Sequence, residues 1–441
     1  MANSITQFAA IASRFSGKLF GEMSNRNTGK NLFISPLNIF ITLLILYEGA
    51  EAGTRSELSS ALELNGLNIE ELCAAYVALK SRYSTPDSAH SLEDVAQAAK
   101  FVQLTTDVFD EKGYYIDDDV VTLTRLFGID YREHKAQALE ILKNAKQFRL
   151  HLLSALWLKQ DSQLNPDFIE MCRSIFDVQI IQQAKFDSES AGDINRWVQD
   201  ATVGHIRELL MSLESDAVMV IVSVVYFRAY WQKQFSKSAT QMGDFRCLDG
   251  ALKICPMMRI TDWFQHYRTA TFEVVSLPYA DPSGKRPLCM DIFLPSQHIL
   301  LPQFQTIFQN LCLHGWNELL HLEYGTVELP RFRIEAQVEL IDTLIALGVN
   351  SAFDSKSANF SRIRGLERYR LFVTQFLQQG LITVDEDGTE ATTATLMVMA
   401  EDWGEGDSVK PFRMVINRPF LFTIRDNNTN ALLFMGQVAA P

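Results

Sequence analysis

The 441-residue chain has no long apolar run and few cysteines, and each shortage removes a class of protein from consideration. Its longest apolar stretches, such as residues 217–227, are shorter than the roughly 20 apolar residues that a membrane-spanning helix needs. Six cysteines occur without a CxxC pair, which gives no support to a zinc site or a dense disulfide framework. We expect buried free thiols, with a disulfide as the alternative.

Motifs for catalysis and for cofactor binding are also missing. The chain has no GxSxG, HExxH or Walker A sequence, and its eight histidines are scattered. Residues 404–406 form half of a dinucleotide fingerprint, without the third glycine and without a preceding apolar strand. We therefore expect a protein that is not an enzyme and that needs no cofactor or metal.

The charge balance opposes two kinds of partner. A net charge of −13 disfavours binding to nucleic acid or to an anionic membrane. The composition is 47% hydrophobic, which is enough for a large core, and no Pro/Gly/Ser-rich linker or charge run divides the chain. We interpret residues 1–441 as one mixed α/β domain.

The N-terminus predicts a helix of the fold. Phe8, Ile11, Phe15 and Leu19 recur at helical spacing, so residues 4–24 are expected to form an amphipathic helix rather than the apolar core of a secretory signal. This favours a cytoplasmic location, with leaderless export to the extracellular space as the alternative. Further strands are predicted at 32–34, 149–158, 178–181 and 217–230, further helices at 166–176 and 191–210, and a closing hairpin at 420–435.

The segment from Leu381 to Ala400, LITVDEDGTEATTATLMVMA, combines a strand pattern with small side chains. In a strand, alternate residues share a face. One such face is small and carries no charge, and it comprises Thr389, Ala391, Thr393, Thr395, Met397 and Met399. This segment could therefore enter the middle of a sheet without burying a large or ionised group.

The run from Glu386 to Thr395 resembles the hinge of serpins, which are protease inhibitors whose reactive loop inserts into their own main sheet. Further segments are similar to serpin segments and follow in the expected order. They are residues 31–36, 49–54, 194–206, 327–332, 347–361 and 419–436. The resemblance is strongest to leaderless, intracellular-type serpins. It implies an α+β fold with a mixed central sheet, helices, two further sheets and an exposed reactive loop at about 386–418.

The resemblance also assigns residues to roles. It implies a hinge formed by Glu386, Gly388, Thr389, Glu390, Ala391, Thr392, Thr393, Ala394 and Thr395. In serpins the target protease attacks a bond in the loop, here called the bait bond, about sixteen residues beyond the hinge glutamate. Counting from Glu386 places this bond between Asp402 and Trp403, with Met399, Ala400 and Glu401 as neighbours. It implies a polar shutter under the sheet at Ser35, Asn38, Ser223 and Gln378. The last three differ from the usual serpin residues but can still form hydrogen bonds.

The implied activity is suicide-substrate inhibition of serine or cysteine endopeptidases, in which the acyl-enzyme is trapped as a covalent complex. The small, uncharged hinge favours inhibition. A non-inhibitory carrier, chaperone or binding module is the alternative, because the shutter is altered and the chain carries an insertion. Since the stretch 70–84 offers only Lys80 and Arg82, we expect no activation by heparin. We expect a monomer.

The acidic residue at the expected bait bond indicates a class of target protease. Asp402 fits acid-directed proteases such as granzyme B or a caspase. If the bond is shifted, chymotrypsin-like and elastase-like enzymes are alternatives, because the neighbouring residues include Met397, Val398, Met399 and Trp403.

Residues 84–147 form the insertion, and their sequence is echoed by the segment that follows. Residues 126–127 and 175–176 align at an offset of 49 (175 − 126), which is a repeat signal. Two explanations of the insertion remain open: a duplicated or wrongly retained exon, and a true extra strand-helix-strand unit. In either case we expect the second copy to supply the core strand.

Overall fold

The computed structural model describes residues 2–83, 149–160, 164–201, 209–210, 213, 217–281, 287–364, 371–389 and 411–441. The chain divides into one compact unit of Met1–Tyr83 with Leu150–Pro441 and a second of Ser84–Arg149. The insertion predicted at 84–147 lies outside the described residues, so the account below concerns the first unit.

Eight α-helices fall within the described residues. They are α1 (Ala2–Arg26), α2 (Pro36–Gly49), α3 (Ala52–Ala61), α4 (Ile69–Tyr83), α5 (Pro166–Met171), α6 (Ser188–Ala201), α7 (Leu301–His314) and α8 (Ile341–Ala346). A π-helix, Cys172–Phe176, directly follows α5. The helix predicted at 166–176 is thus present, with a changed hydrogen-bonding pattern in its second half.

Fifteen strands are described. They are β1 (Leu32–Ile34), β2 (Arg149–Lys159), β3 (Gln179–Gln183), β4 (Met219–Tyr230), β5 (Gln241–Arg246), β6 (Leu252–Arg268), β7 (Phe272–Pro278), β8 (Leu288–Pro295), β9 (His321–Pro330), β10 (Phe332–Glu339), β11 (Gln375–Val384), β12 (Gly388–Thr389), β13 (Phe412–Val415), β14 (Phe420–Asp426) and β15 (Leu432–Val438). The predicted closing hairpin is β14 and β15, which pair antiparallel.

The strands form two sheets. The six-stranded sheet has the order β10, β11, β12, β4, β2, β3 and is mixed, because β11 is parallel to β4 and antiparallel to β10. The nine-stranded sheet has the order β1, β15, β14, β8, β7, β6, β9, β13, with β5 paired to the start of β6. Strand β6, 17 residues long, pairs in turn with β5, β9 and β7. The two further sheets that the resemblance implies are thus joined through β6 into one hydrogen-bonded sheet.

The N-terminal helix forms as its periodicity predicts. Phe8, Ile11, Phe15 and Leu19 are all buried, and the rings of Phe8 and Phe15 meet Phe40 of α2 edge to face at 5.7 and 5.6 Å. Helix α2 is apolar on all sides and almost wholly buried, as expected of a helix inside the core. The helix α1 is therefore part of the folded domain.

A second part of the core lies between α6 and the six-stranded sheet. Ile194 and Val198 of α6 pack in one cluster with Val222 and Val224 of β4. The helix prediction for 191–210 was too long, because Leu209 and Leu210 lie outside any helix. Asn195 explains their position, since its Oδ1 accepts hydrogen bonds from both backbone N–H groups at 2.8 Å.

Strand β2 shows which copy of the repeated sequence supplies the sheet. Within β2, residues Ala155 to Lys159 pair in parallel with β3, and Ala155 to Leu158 are buried. The expectation that the second copy provides the core strand is confirmed.

All six cysteines are free, and five of them are buried. Burial raises the pKa of the Cys73 thiol to about 11, so it is a protonated, unreactive group at neutral pH. In the part of the chain that the structure describes, no helix is long and apolar enough to cross a membrane, and no group of His, Cys, Asp and Glu side chains could hold a metal ion.

Candidate functional site: the sheet slot and the hinge

The boundary between β11 and β4, here called the sheet slot, is closed over most of its length. The two strands pair in parallel from Gln375 opposite Val220 to Leu381 opposite Tyr226. Beyond this point β12 lies between them, with Thr389 paired to Val384 on one side and to Ala229 on the other. The start of the hinge thus already occupies one end of the slot.

Gly388 permits this entry because it has no side chain. A Cβ atom at this position would lie 2.2 Å from the carbonyl oxygen of Ala229, which is backbone and has little freedom to move. The glycine is therefore needed for the close approach of the hinge to β4.

The hinge is held by a buried glutamate, Glu386, which is only 1% exposed. Its carboxylate accepts hydrogen bonds from Arg331, with Nε at 2.8 Å from Oε2 and Nη2 at 2.5 Å from Oε1, and from the Thr240 hydroxyl. Burial acts to raise the pKa of Glu386, but the bonds from Arg331 and Thr240 outweigh it and hold the pKa below its ordinary value. Glu386, Arg331 and Thr240 are called the hinge anchor below.

Trp231 fixes the backbone of the same segment. Its backbone N–H donates to the carbonyl of Asp387 at 3.0 Å, and its indole Nε1 donates to the carbonyl of Asp385 at 2.9 Å. The indole is stacked on Tyr279, with ring centroids 4.6 Å apart. The position of the hinge is thus tied to the nine-stranded sheet through an aromatic pair.

Two further carboxylates flank Glu386. Asp387 forms an ion pair with Lys237 at 2.8 Å. Asp385 accepts hydrogen bonds from the backbone N–H groups of Asp387 and Gly388. Burial raises the pKa of Asp385, and the neighbouring carboxylates add to this effect. The hinge therefore contains an Asx-type turn, formed by the side chain of Asp385 next to Glu386.

The four residues expected at the shutter come together beneath the slot. Gln378 of β11 accepts a hydrogen bond from the backbone N–H of Ser35 at 2.8 Å and donates to the hydroxyl of Ser223 on β4 at 3.0 Å. Asn38 donates to the same hydroxyl at 2.7 Å. Since Gln378 and Ser223 lie directly opposite each other, their bond joins the two strands across the slot.

Ser35 connects this network to the rest of the core. Its hydroxyl donates to the carbonyl of Leu433 on β15 at 2.7 Å and caps α2 by accepting a bond from the N–H of Asn38 at 3.3 Å. The role of the four residues as a shutter stays a prediction, but the substituted residues do form one hydrogen-bonded group.

Several residues of the site were missed in the sequence. Arg331 lies in a segment that was singled out, yet no pattern linked it to Glu386, 55 positions away. Trp231 and Thr240 carried no signal at all. Ser154 was also missed, and its hydroxyl extends the shutter network to Asn38 and Thr42.

Most of the predicted loop lies outside the described residues. This holds for the hinge residues from Glu390 to Thr395 and for the bait bond at Asp402 and Trp403 with its neighbours. The chain is described again from Pro411, and β13 then pairs in parallel with β9, with Phe412 opposite Gly325. The bait bond stays a prediction.

Comparison with known proteins agrees with this geometry. The family described as Serpin (serine protease inhibitor) matches residues 10–441. Human plasminogen activator inhibitor 2 is 25% identical over 436 residues, which cover 97% of this chain and 98% of the relative. Human leukocyte elastase inhibitor is 25% identical over 448 residues, covering 99% of this chain and 100% of the relative.

Solved structures show the same fold. The native thermophilic serpin tengpin superposes with a TM-score of 0.76 at 21% identity, covering 99% of this chain and 94% of tengpin. Native protease nexin-1, solved with heparin, gives a TM-score of 0.74 at 22% identity, covering 99% of this chain and 100% of that protein. The chain belongs to the serpin family, whose members are described as protease inhibitors rather than as enzymes.

Proposed function

We propose that the protein is a suicide-substrate inhibitor of endopeptidases that traps the acyl-enzyme by inserting its loop into the sheet slot. The observation that carries the proposal is the position of β12, which lies between β11 and β4 at the open end of the slot. Insertion would continue a pairing that has already begun, so no new strand alignment has to be found.

The register of β12 gives the register of insertion. Gly388 pairs with Tyr230 and Thr389 with Ala229, so continuation of the antiparallel ladder would bring Thr393 opposite Val225. Directly opposite residues share a face of the sheet, and on this face Phe227 packs against Phe434. The small, uncharged hinge residues would therefore enter the side of the slot that faces the nine-stranded sheet.

Hydrogen bonding supplies the driving force. Insertion breaks one ladder, between β11 and β4, and forms two, one on each side of the new strand. At about 1 kcal/mol net per bond, a strand of a dozen residues gains on the order of 10 kcal/mol. This is enough to make trapping one-way, provided that insertion is faster than hydrolysis of the acyl-enzyme.

The test is incubation with a panel of proteases of different specificity. We expect a covalent complex that survives denaturing electrophoresis, together with a cleaved form of the inhibitor. Cleavage without complex formation by every protease would refute trapping.

We propose Asp402 and Trp403 as the bait bond, and acid-directed proteases as the targets. Mass spectrometry of the released C-terminal fragment tests this bond, since the fragment should begin at Trp403. A fragment that begins after Lys410 or after Arg413 would contradict the assignment. Arg413 lies in β13, and its side chain is paired with Glu328 of β9.

A carrier function is the second candidate, and one cavity favours it. A space of about 670 Å³ lies between α1, α7 and the β14–β15 hairpin, lined in part by Ser13, Asn310, Trp316 and Arg425. This volume is typical of small-molecule sites. A protein that binds a small apolar molecule with a polar end and forms no covalent complex with any protease would support the carrier function.

A further inference from the structure

The strands β5, β6 and β9 carry a large share of the exposed apolar side chains. Among the described residues ten large apolar side chains are exposed, and six of them lie on these three strands. They are Met242, Leu252, Ile254, Trp263, Leu322 and Tyr324. A concentration of this kind marks an interaction surface rather than the scattered exposure that is normal for a soluble protein.

Three of these residues, Trp263, Leu322 and Tyr324, share one face of the β6–β9 ladder and are here called the loop-side patch. Trp263 lies directly opposite Tyr324 in the β6–β9 ladder, with ring centroids 5.6 Å apart, and Leu322 is the next outward residue of β9. The three side chains are 59%, 60% and 45% exposed for Trp263, Leu322 and Tyr324. Tryptophan and tyrosine are the residues that most often dominate the binding energy of an interface.

The patch lies where the loop returns to the sheet. Strand β13 is parallel to β9, and Phe412 pairs with Gly325. One step back in this register brings Pro411, the first described residue after the loop, level with Tyr324. The returning arm of the loop therefore starts beside the patch.

The patch is also connected to the point where the loop leaves. A cavity of about 400 Å³ is lined by both Trp263 and Trp231, and Trp231 holds the backbone of Asp385 and Asp387 at the hinge. Lys233 and Asp262, which form an ion pair at 2.7 Å, also line this cavity. The surface thus runs between the two ends of the loop.

We infer that the loop-side patch is a second contact surface for the target endopeptidase, in addition to the loop. This inference rests on the proposed inhibitory function. Trp403 lies eight positions before Pro411, and a fully extended chain of this length spans at most about 29 Å. A protease domain is about 45 Å across. A protease held at the bait bond is therefore near enough for its body to cover the patch, and burial of Trp263 and Tyr324 would then speed its capture.

The experiment compares Trp263→Ala and Tyr324→Ala with the wild type, using a protease that the wild type traps. Both side chains are exposed, so we expect the variants to fold normally. The second-order rate constant for complex formation should fall at least about tenfold for Trp263→Ala. The ratio of trapped to cleaved product should not change, because insertion follows acylation and does not involve the patch.

Met242→Ala and Ile254→Ala are the matched controls. Both residues are 66% exposed. Met242 lies in β5 and Ile254 in the part of β6 that pairs with β5, before the ladder of β6 with β9 begins at Met257, so neither side chain belongs to the loop-side patch. Their association rates should stay within about twofold of the wild type. Equal rates for Trp263→Ala and the wild type would overturn the inference while leaving the trapping mechanism intact.

Two other outcomes are equally informative. If the wild type traps no protease, the proposed function fails and this inference fails with it. If the wild type sediments as a dimer that Trp263→Ala dissociates, and the association rate is unchanged, then a second copy of the chain covers the patch and the inference is wrong.

Discussion

At the scale of single residues, the hinge anchor is the arrangement with the clearest energetic consequence. Glu386→Gln keeps the size of the side chain but removes the charge that pairs with Arg331. Loss of a charge-assisted hydrogen bond to a buried carboxylate should cost about 1–3 kcal/mol. Thermal unfolding of the native protein should show a lower midpoint.

Glu335→Gln is the matched control for this change. Glu335 lies on β10, which pairs with β11 on the side away from the sheet slot, and its carboxylate is 3.8 Å from Arg333, but its side chain is 49% exposed. Pairs of this kind contribute little, so the midpoint should hardly change. Equal effects of the two substitutions would contradict the role of the anchor.

The same pair gives a pH dependence with a definite sign. The folded-state pKa of Glu386 lies below its ordinary value, so the carboxylate adds stability above the unfolded pKa of about 4.5, and this stability is lost as the pH falls through the folded pKa. The raised pKa of Asp385 acts in the opposite direction and hides part of the effect in the wild type. The difference in the free energy of unfolding between the wild type and Glu386→Gln isolates the contribution of Glu386, because Asp385 is present in both proteins. That difference should be constant at neutral pH and shrink on acidification, and a difference that grows on acidification would show that the sign is wrong.

At the scale of secondary structure elements, the network beneath the slot keeps β11 and β4 together. Gln378→Leu removes the bond to Ser223 across the slot and leaves the buried N–H of Ser35 without its acceptor. We expect a loss of about 2 kcal/mol in the native form. The loss should be smaller in the cleaved, inserted form, because a strand then separates Gln378 from Ser223 and only the bonding with Ser35 is removed. Thermal unfolding of both forms tests this difference.

Gln379→Leu is the control in the adjacent position. Gln379 is also buried, but its Oε1 has no hydrogen-bond partner among the described residues, so its replacement should be close to neutral or stabilising. A larger loss for Gln379→Leu than for Gln378→Leu would show that the network does not hold the slot closed.

The elements also show what a sequence can and cannot predict. Helix α1 was predicted because Phe8, Ile11 and Phe15 repeat at a local period, and all three are buried. The contact of Gln378 with Ser223 bridges 155 positions, and the residues were grouped only through the resemblance. The pair of Arg331 and Glu386 was not predicted, because no local pattern encodes a partner that tertiary packing supplies.

At the scale of the whole molecule, the described residues outside the insertion already form both sheets. Deletion of residues 84–147 should therefore leave a folded protein, because strand β2 begins at Arg149 and a shorter connection has a modest entropic cost. Soluble yield, circular dichroism and complex formation with protease are the measurements. Loss of soluble protein would show that the insertion contributes to the fold.

The central claim is insertion of the loop into the slot in the register of β12, and Thr393 tests it most directly. In this register position 393 enters opposite Val225 on the face toward the nine-stranded sheet, where an unpaired arginine would cost several kcal/mol. Position 392 enters on the other face, opposite the buried Tyr226 but next to the half-buried Arg228, so a long arginine side chain there has a shorter path to water. The measurement is the ratio of covalent complex to cleaved inhibitor on a denaturing gel. Thr393→Arg should give mostly cleaved protein, without the rise in heat stability that insertion brings, and Thr392→Arg should keep much of the trapping. Trapping by Thr393→Arg at the wild-type ratio would contradict insertion in this register.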